Sequence, residues 1–476
     1  MRPLASIERT ENVWTAEPGS FRDRNGRVFY HAGRVLRGLS AGALESWQTL
    51  SATRFFRRFT DEGTLVPTEQ VDGALAPPAA DGKAWAGVLQ HATIPFLSYP
   101  YEWSFGMLKD AALLQLQLLL AALDEGMILK DSSAFNFQWR GAQPMFIDIP
   151  SFERLVPGEP WVGYRQFCEM FLYPLFLQAY KDVAFQPWLR GSIDGITPDS
   201  CWRLLSARDL ARPGVLTHVY LQAALQARYA KTERNVKRDL RAAGFNVELI
   251  QANARRLTRL VQRLTWKRGQ SQWSEYARQH SYIAADHAAK AAFVRDAVHS
   301  RRWRLVWDLG CNIGTFARIA AENADYVVAM DVDPLVVDRL YAELKRENSR
   351  LILPLVMNVA DPSPALGWRC RERKTVVERG RPELTLCLAL IHHVVLSANI
   401  PLREFITWLA SLGTALVIEF VARDDPKVQT LLRNKRDEYV DYDRPQFERC
   451  LAEAFTVARR QALASGTRTL YYALPS

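Results

Sequence analysis

The sequence predicts an α/β protein made of two folded units, and three observations support that prediction. At 476 residues, the chain has the length of two or three domains. In its last third, short apolar runs alternate with helical patterns, which is typical of a doubly wound parallel sheet. The first half begins with a small β part and continues with long helices, as in an α+β domain. We therefore expect units at 1–227 and 270–476, joined by a helical connector at 228–269.

The C-terminal unit is predicted from the rhythm of its strands and helices. We expect strands at Leu305–Asp308, Tyr326–Asp331, Ile352–Met357, Leu384–Leu390, Ala415–Phe420 and Thr469–Ala473. We expect helices at Thr315–Asn323, Pro334–Asn348, Leu402–Leu412, Lys427–Asp437 and Arg444–Ala454. Side chains that follow these strands should meet at one edge of the sheet.

The N-terminal unit is predicted as a small sheet followed by helices. Its elements, in order, are a hairpin of Arg27–Tyr30 and Arg34–Leu39, a helix at Ala43–Phe56, an apolar strand ending at Ile94–Tyr101, and helices at Met107–Gly126 and Gly163–Tyr180. A stretch rich in Pro, Ala and Gly at 73–85 separates the first helix from the apolar strand.

Positive charge is concentrated in one segment. The chain has 61 Lys and Arg against 51 Asp and Glu, a net charge of +10. The segment Arg228–Arg268 contains 12 basic and three acidic residues, a net charge of +9. Such a segment can bind nucleic-acid phosphates, although a solvated helix face explains it more often. The charge therefore does not make the whole surface a nucleic-acid binder.

Cysteine spacing and hydropathy favour a cytoplasmic protein. Six cysteines without a C-x-x-C pair predict neither a zinc site nor a disulfide framework. The first twenty residues lack the apolar core of a signal peptide. The most apolar stretches, Ala111–Leu123 and Phe171–Tyr180, are too short to span a bilayer, so we expect no membrane span.

A glycine turn after the first C-terminal strand predicts a nucleotide-type ligand. The run from Val306 reads strand, then Asp308-Leu-Gly310-Cys-Asn312-Ile-Gly314, then helix. The glycines let the backbone pass close to a ligand, and Asp308 can accept a hydrogen bond from an ammonium group. The second strand ends in Asp331, where an acid can bind ribose hydroxyls. Asn312 replaces the middle glycine of G-x-G-x-x-G, which disfavours a dinucleotide.

Acid-x-Gly after the first strand and an acid after the second resemble class I S-adenosylmethionine-dependent methyltransferases, over about the last 200 residues. The resemblance implies a Rossmann-like seven-stranded domain with S-adenosyl-L-methionine as cofactor. The cofactor-binding residues it implies are Asp308, Gly310, Asn312, Gly314, Asp331, Val332, Asn358, Asp361 and Tyr282. The glycine turn would line the methionine part, Asp331 the ribose and Val332 the adenine, with Asn358 or Asp361 beside the adenine amino group.

Two histidines and a glutamate are the candidates on the methyl-acceptor side. The fourth strand ends in Leu388-Ala-Leu-Ile-His392-His393, and this ending resembles small-molecule O- or C-methyltransferases. Methyl transfer to an alcohol usually requires removal of a proton, for which imidazole is suited. His392 or His393 is therefore a candidate base, while the one that points inward would be structural. Glu419 ends the fifth strand and is a second candidate.

The N-terminal half contains a pattern similar to that of protein kinases. Asp131 is followed by Asn136, a hairpin and Asp148, the spacing of the kinase catalytic loop and metal-binding Asp. The resemblance implies that Asp131 faces an acceptor hydroxyl while Asn136 and Asp148 hold a metal, with Mg-ATP as a second cofactor. The segment Phe96–Tyr101 would be the hinge. No glycine-rich loop is evident, and Arg37 is only a weak substitute for the usual strand lysine.

Taken whole, the chain resembles a bacterial class I methyltransferase family related to nodulation proteins. The shared phrases begin at Ser98, Trp161 and Asp361 and include the Ala-Leu-Ile-His-His run. The leading hypothesis is a methyltransferase acting on a hydroxylated small molecule or glycan. Its kinase-like half would be an active kinase, a domain that only binds the acceptor, or a chance pattern. The alternatives are an RNA methyltransferase that uses the basic segment, and a non-catalytic binding or assembly factor.

Overall fold

The computed structural model describes residues 13–71, 77–78, 84–224, 246–269, 284–433, 435 and 439–476. Four expectations from the sequence lie wholly or partly outside these residues. They are the contact of Tyr282 with the cofactor, the basic connector, of which 246–268 is described, the stretch rich in Pro, Ala and Gly at 73–85, and the end of the helix at Lys427–Asp437.

Along the chain, a β-rich beginning is followed by a helical middle and then by an α/β end. The strands are β1 (Thr15–Ala16), β2 (Gly26–His31), β3 (Arg34–Leu39), β4 (Thr68–Val71), β5 (Gly87–His91), β6 (Met127–Leu129), β7 (Phe137–Arg140), β8 (Gln143–Phe146), β9 (Phe152–Arg154), β10 (Trp303–Leu309), β11 (Ala324–Asp331), β12 (Ile352–Val356), β13 (Leu384–Cys387), β14 (Ala415–Val421), β15 (Phe455–Ala462) and β16 (Arg468–Pro475). The α-helices are α1 (Ala41–Ser51), α2 (Arg54–Asp61), α3 (Phe105–Asp124), α4 (Tyr164–Phe167), α5 (Tyr173–Lys181), α6 (Gln186–Gly191), α7 (Pro198–Leu204), α8 (Val247–Arg263), α9 (Ala284–His299), α10 (Thr315–Ala321), α11 (Pro334–Arg346), α12 (Leu402–Ser411), α13 (Pro426–Leu432) and α14 (Arg444–Ala454).

The C-terminal sheet confirms the predicted α/β class. Its strand order is β12-β11-β10-β13-β14-β16-β15. The first five strands in this order are parallel, and β16 runs antiparallel between β14 and β15. The central strands are buried along most of their length, because helices and the N-terminal half cover the sheet.

Two predicted elements of this half are shorter than expected. The strand that begins at Leu384 ends at Cys387 rather than at Leu390, and Ala389 has a φ of 49°, which is incompatible with an extended strand. The helix expected to reach Asp437 is described only as far as Leu432.

The N-terminal sheet is antiparallel, with the order β1-β2-β3-β5-β4. The predicted helix at Ala43–Phe56 is in fact α1 and α2, because the Thr53 side chain accepts a hydrogen bond from the Phe56 N–H and caps a new helix. The predicted strand ending at Tyr101 is wrong: β5 ends at His91 and the following segment is irregular.

Helix α3 forms the core of the helical part. The helix has 20 residues and is therefore longer than the apolar stretch Ala111–Leu123 within it. By length and composition it is apolar enough to cross a membrane. Twelve of its side chains are buried inside the protein. Helix α8 packs against α3 and buries four residues, Ile250, Ala254, Leu257 and Val261. The described end of the basic connector is therefore an amphipathic helix with one face in the core.

The two halves share one hydrophobic core. In the connection between β12 and β13, residues 357–383 contain no α-helix, and Phe96 of the N-terminal half packs edge-on against Trp307 of the central strand. Helix α3 lies against α11, where the Gly106 N–H donates to Asp338 Oδ1 over 2.7 Å. Because a parallel sheet needs cover on both faces, the N-terminal half completes the packing of the C-terminal sheet.

One buried ion pair lies in this interface. Arg379 donates two hydrogen bonds of 2.7 Å to the carboxylate of Glu102, and both side chains are at most 1 % exposed. Glu102 also accepts hydrogen bonds from the Tyr99 N–H and from Ser363 Oγ. Two of the phrases singled out in the sequence, those beginning at Ser98 and Asp361, therefore meet at this pair.

Candidate functional site

The candidate site lies where the strand order of the C-terminal sheet reverses. From β10 the chain proceeds first to β11 and β12 on one side and then to β13 and β14 on the other. The loops after β10 and β13 therefore diverge and leave a crevice at the carboxyl ends of the strands, which is where open α/β sheets bind ligands. The predicted residues Asp308 and Gly310 lie on one side of this crevice, and the segment 388–393, a short loop that leads into a helical turn, follows β13 on the other side.

The glycine turn has a backbone that L-residues rarely adopt. Gly310 and Gly314 have φ of 74° and 79°, and Asn312 between them has a φ of 46°. The N–H groups of Gly310 and Cys311 both donate to the carbonyl of Met330, at 2.8 and 2.9 Å, which ties the turn to β11. A Cβ on Gly314 would lie 2.6 Å from Leu340. Glycine is thus required both for the left-handed conformation and for the close approach of α11.

Asp308 presents a buried carboxylate oxygen that lacks a partner. The residue is 2 % exposed, and its Oδ2 accepts no hydrogen bond from any residue that the structure describes. Burial, and then the nearby charge of Asp331, raise its pKa to about 7. A buried oxygen of this kind costs free energy unless a donor or cation satisfies it. Its position at the glycine turn makes it a candidate binding group for a positively charged ligand group.

Asp331 is buried but anchored by the backbone. Its Oδ2 accepts from the Asn312 N–H and its Oδ1 from the Asp333 N–H, each at 3.0 Å. Burial still raises its pKa to about 6, because desolvation outweighs these bonds. Each carboxylate oxygen has a second lone pair, so Asp331 can also accept ligand hydroxyls. Val332 and Ile313, both about half exposed, provide apolar surface beside it.

The two candidates for the adenine amino group are both exposed but differ in their partners. The Asn358 Oδ1 accepts from the Ala360 N–H at 3.0 Å and so closes its own turn. Asp361 instead pairs with Arg190 of α6 through two bonds of 2.9 Å. This ion pair uses both oxygens of Asp361, which weakens its candidacy. Sequence reasoning missed Arg190 because it lies 171 residues away and belongs to no motif.

The two histidines of the pair differ in burial. His392 is fully buried, and neither of its ring nitrogens has a partner in the described part of the chain. Burial holds its pKa well below the ordinary value, so His392 is neutral and cannot contact an acceptor. Its ring is tilted by 41° relative to that of His393, with ring centroids 4.1 Å apart. His393 is only partly buried, and burial together with Arg468 and Lys427 lowers its pKa to about 4.

Glu419 is not available as a base, which corrects the expectation from the sequence. It is fully buried, and its Oε2 lies 2.7 Å from Lys290 Nζ while its Oε1 lies 3.2 Å from Arg468. The same Oε2 accepts a hydrogen bond from the Ala389 N–H at 2.8 Å. Neither cation is signalled by a motif, since both come from elements distant in the sequence.

The three kinase-like residues come together in the N-terminal half. Asp148 accepts from Arg37 at 3.0 Å and from Ser151 Oγ at 2.5 Å. Asn136 donates to the same Ser151 over 3.4 Å and also bonds to Asp131. Burial, and then the charge of Asp148, raise the pKa of Asp131. Asp148 is thus already neutralised by Arg37, the residue that the sequence suggested only weakly.

A cavity of about 380 Å³ opens beside Asp131. Its polar lining includes Lys130, Glu153 and Glu159, and its apolar lining includes Val156 and Val162. Lys130 and Glu153 form an ion pair of 3.2 Å at its rim. Charged acceptors beside exposed aliphatic side chains suit a ligand that carries hydroxyl groups on a hydrocarbon frame.

The hinge-like segment Phe96–Tyr101 does not face an open nucleotide cleft. The Leu97 carbonyl accepts from Arg379 of the C-terminal half at 2.9 Å. The N–H and C=O of Ser98 both bond to the Gln138 side chain, at 2.8 and 3.0 Å. These backbone groups are therefore engaged within the protein. Across the residues with assigned positions, no cluster of three or more His, Cys, Asp and Glu suited to a metal ion is found. The expectation of Mg-ATP gains no support here.

Comparison with known proteins identifies one relative along nearly the whole chain. The nodulation protein NoeA of Rhizobium meliloti (strain 1021) is 35 % identical over 468 residues, which cover 95 % of this chain and 94 % of NoeA. No protein-family model matches the chain.

Solved methyltransferase structures match the chain only partly. They include the N-methyltransferase NodS of Bradyrhizobium japonicum WM9, with 15 % identity over 41 % of this chain and 99 % of NodS and a TM-score of 0.30. The magnesium protoporphyrin IX methyltransferase of Synechocystis PCC 6803 has 15 % identity over 44 % of this chain and 88 % of its own, at a TM-score of 0.30. The bifunctional kinase-methyltransferase WbdD has 18 % identity over 43 % of this chain and 42 % of its own, at a TM-score of 0.29. TM-scores of this size do not establish a shared fold or activity.

Proposed function

The chain belongs to the family of the nodulation protein NoeA, and from this premise we propose that it is an S-adenosylmethionine-dependent methyltransferase. The cofactor would bind at the glycine turn of the C-terminal half. The acceptor would be a hydroxylated small molecule or a glycan, and the enzyme would act in the cytoplasm.

The observation that carries this proposal is the Asp308 carboxylate, whose Oδ2 has no hydrogen-bond partner among the residues that the structure describes. It is buried at the switch point of the sheet, next to a turn whose glycines allow a ligand to approach the backbone. The ammonium group of a methionine moiety is the cation that such an oxygen would bind. The cofactor, when bound, would supply a methyl group on a positively charged sulfur.

The remaining residues of the crevice fit the same ligand. Asp331 has lone pairs for two ribose hydroxyls, and Val332 and Ile313 offer apolar surface for a planar base. His393, on the opposite side, is neutral at physiological pH because its pKa is lowered to about 4. A neutral imidazole can accept the hydrogen bond of an acceptor hydroxyl and so orient it.

The pH dependence of ligand binding tests the proposed role of Asp308. Its pKa in the free protein is about 7, so only about a tenth of the molecules carry the ionised carboxylate at pH 6. We expect the ionisation of Asp308 to make S-adenosylhomocysteine bind about tenfold more tightly at pH 8 than at pH 6, because the ammonium needs the ionised form, and the ionisation of Asp331, whose pKa is about 6, to add about a further twofold. Isothermal titration calorimetry at several pH values measures this.

The control changes an aspartate that, unlike Asp308, is exposed and lies at the beginning of the neighbouring strand. Asp308→Asn should weaken binding and flatten its pH dependence. Asp325→Asn removes an exposed carboxylate paired with Arg302 at the beginning of β11 and should change neither. A wild-type protein that binds no S-adenosylhomocysteine at any pH would refute the proposed function.

The cavity beside Asp131 favours a second role, that of an acceptor-binding domain. Asp131 is oriented by Asn136 and Gln166, and the cavity next to it has the polar and apolar lining described above. The pairing of Asp148 with Arg37 and the engaged backbone at Ser98 argue that this half binds a hydroxylated ligand without transferring phosphate.

Thermal unfolding with Mg-ATP tests this second role. We expect a saturating concentration of Mg-ATP to leave the melting temperature unchanged, since a ligand that binds only the folded state would raise it. The Asp148→Asn variant is the matched comparison. A clear rise in the wild type that disappears in Asp148→Asn would show nucleotide binding and overturn the non-phosphorylating role.

A further inference from the structure

We propose that Glu419 is a positioning residue that holds the loop 388–390, between β13 and the helical turn that begins at Ile391, against the glycine turn. It acts through a hydrogen bond to Ala389 and is itself held in place by a buried network of charges. This inference rests on the proposed function, because the role of the loop is to form the acceptor side of the cofactor crevice.

The charged network joins four separate elements beneath the crevice. Glu419 of β14 contacts Lys290 of α9 at 2.7 Å and Arg468 of β16 at 3.2 Å. Arg468 also contacts Asp425, which caps α13, at 2.7 Å. All four side chains are at most 4 % exposed. The network thus places two cations and two anions in the protein interior, and the charge of buried Asp286 also acts on Lys290.

Stability alone does not account for these buried charges. Well-packed apolar side chains of similar volume are often as stable as a buried ion pair, or more stable, because ions lose hydration when they are buried. The network does, however, hold Glu419 in a position from which it accepts one backbone hydrogen bond. The Oε2 of Glu419 accepts a hydrogen bond of 2.8 Å from the N–H of Ala389, beyond the end of β13.

The hydrogen bond fixes an unusual backbone conformation. Ala389 has a φ of 49°, in the left-handed region that residues with a Cβ rarely adopt. The next residue, Leu390, then lies against the glycine turn, so that a Cβ on Gly310 would be 3.3 Å from its Cδ1. The adjoining His392 and His393 begin the helical turn that follows this loop. Glu419 therefore sets the width of the crevice from the acceptor side.

The consequence for the proposed chemistry is geometric. Methyl transfer needs the acceptor in line with the transferred carbon, and a small displacement of a positioning loop is costly. A looser loop would also let Leu390 move away from Gly310, where the methionine part of the cofactor is expected to bind. The affinity for S-adenosylhomocysteine consequently reports the position of the loop without a known acceptor.

The test uses two double variants that differ only in a hydrogen-bond acceptor. Both carry Lys290→Met, which removes the cation that contacts Oε2 of Glu419. With Glu419→Gln, an oxygen remains to accept from Ala389, and we expect the dissociation constant for S-adenosylhomocysteine to stay within threefold of the wild type. With Glu419→Leu, no acceptor remains, and we expect binding at least tenfold weaker. Amide hydrogen exchange of the peptide spanning 388–396 should increase only in the Leu variant.

Separate controls distinguish an effect on the loop from a loss of stability and from a general disturbance of the charged network. Both double variants should keep a cooperative thermal transition, since apolar replacement of a buried pair is tolerated. Asp425→Asn disturbs the network without touching Ala389, so it should lower the melting temperature while leaving the affinity within threefold. Equal affinity and equal exchange in the Gln and Leu variants would overturn the inference while the proposed function stands. Failure of the wild type to bind S-adenosylhomocysteine would overturn both.

Discussion

Glu102→Ala is expected to lower the free energy of unfolding by about 3–5 kcal/mol, because it leaves the guanidinium of Arg379 buried without its counter-charge. The pair is at most 1 % exposed and carries two hydrogen bonds of 2.7 Å. The same variant frees the Tyr99 N–H, which donates to Glu102 at 2.9 Å. Urea denaturation, followed by tryptophan fluorescence and by circular dichroism, measures the change through the midpoint and the slope.

Two further variants define the cause of that loss. Glu102→Gln combined with Arg379→Met removes both charges and should recover much of the stability, since no buried cation remains. Glu62→Ala removes an exposed glutamate that pairs with Arg58 four residues before it, and should leave the midpoint unchanged. A loss below about 1 kcal/mol for Glu102→Ala would contradict a tightly packed interface between the halves.

Asp331→Ala should weaken the binding of S-adenosylhomocysteine at least about 100-fold. The carboxylate is expected to hold two ribose hydroxyls, and hydrogen bonds to charged groups contribute about 1.5–3 kcal/mol each. The same carboxylate accepts from the Asn312 N–H and so fixes the glycine turn. Calorimetry at pH 8, where Asp331 is ionised because its pKa is about 6, measures the loss.

The binding loss should not be accompanied by unfolding. Burial raises the pKa of Asp331, which shows that its charge is unfavourable in the free protein, so removal of the carboxylate partly offsets the lost backbone bonds. Asp325→Ala changes the opposite end of the same strand and should bind normally. An affinity for Asp331→Ala within threefold of the wild type would place the ribose elsewhere.

The sequence predicted the C-terminal half more completely than the N-terminal half. An apolar run such as Val327–Met330 that lies between two helical patterns predicts a buried strand. The glycine turn, which leads into the next helix, predicts the position of the crevice. Strand β15 was not located because it is an edge strand with mostly exposed residues and lacks an apolar pattern. In the N-terminal half, Thr53 divides a helix whose apolar residues continue without a break.

The sequence predicted the glycine turn and the two acids of the candidate site. It did not predict the residues that form ion pairs with the other site residues. Asp308 and Asp331 lie at the carboxyl ends of β10 and β11 and so could be placed from the sequence alone. The pairing of Asp361 with Arg190, of Glu419 with Lys290, and of Glu102 with Arg379 joins residues far apart in the chain. No local pattern encodes such pairs.

The sequence by itself determined the α/β class of the C-terminal half, the glycine turn and the two acids beside it. These are local properties, because hydrophobic period and glycine conformation act over a few residues. Only the tertiary structure decided that Glu419 is held between cations rather than free as a base, that His392 points into the core, and that Phe96–Tyr101 packs between the halves. The residue type fixes the charge and the hydrogen-bonding capacity of a side chain. Whether a ligand can use them depends on burial and on the neighbours that folding brings together.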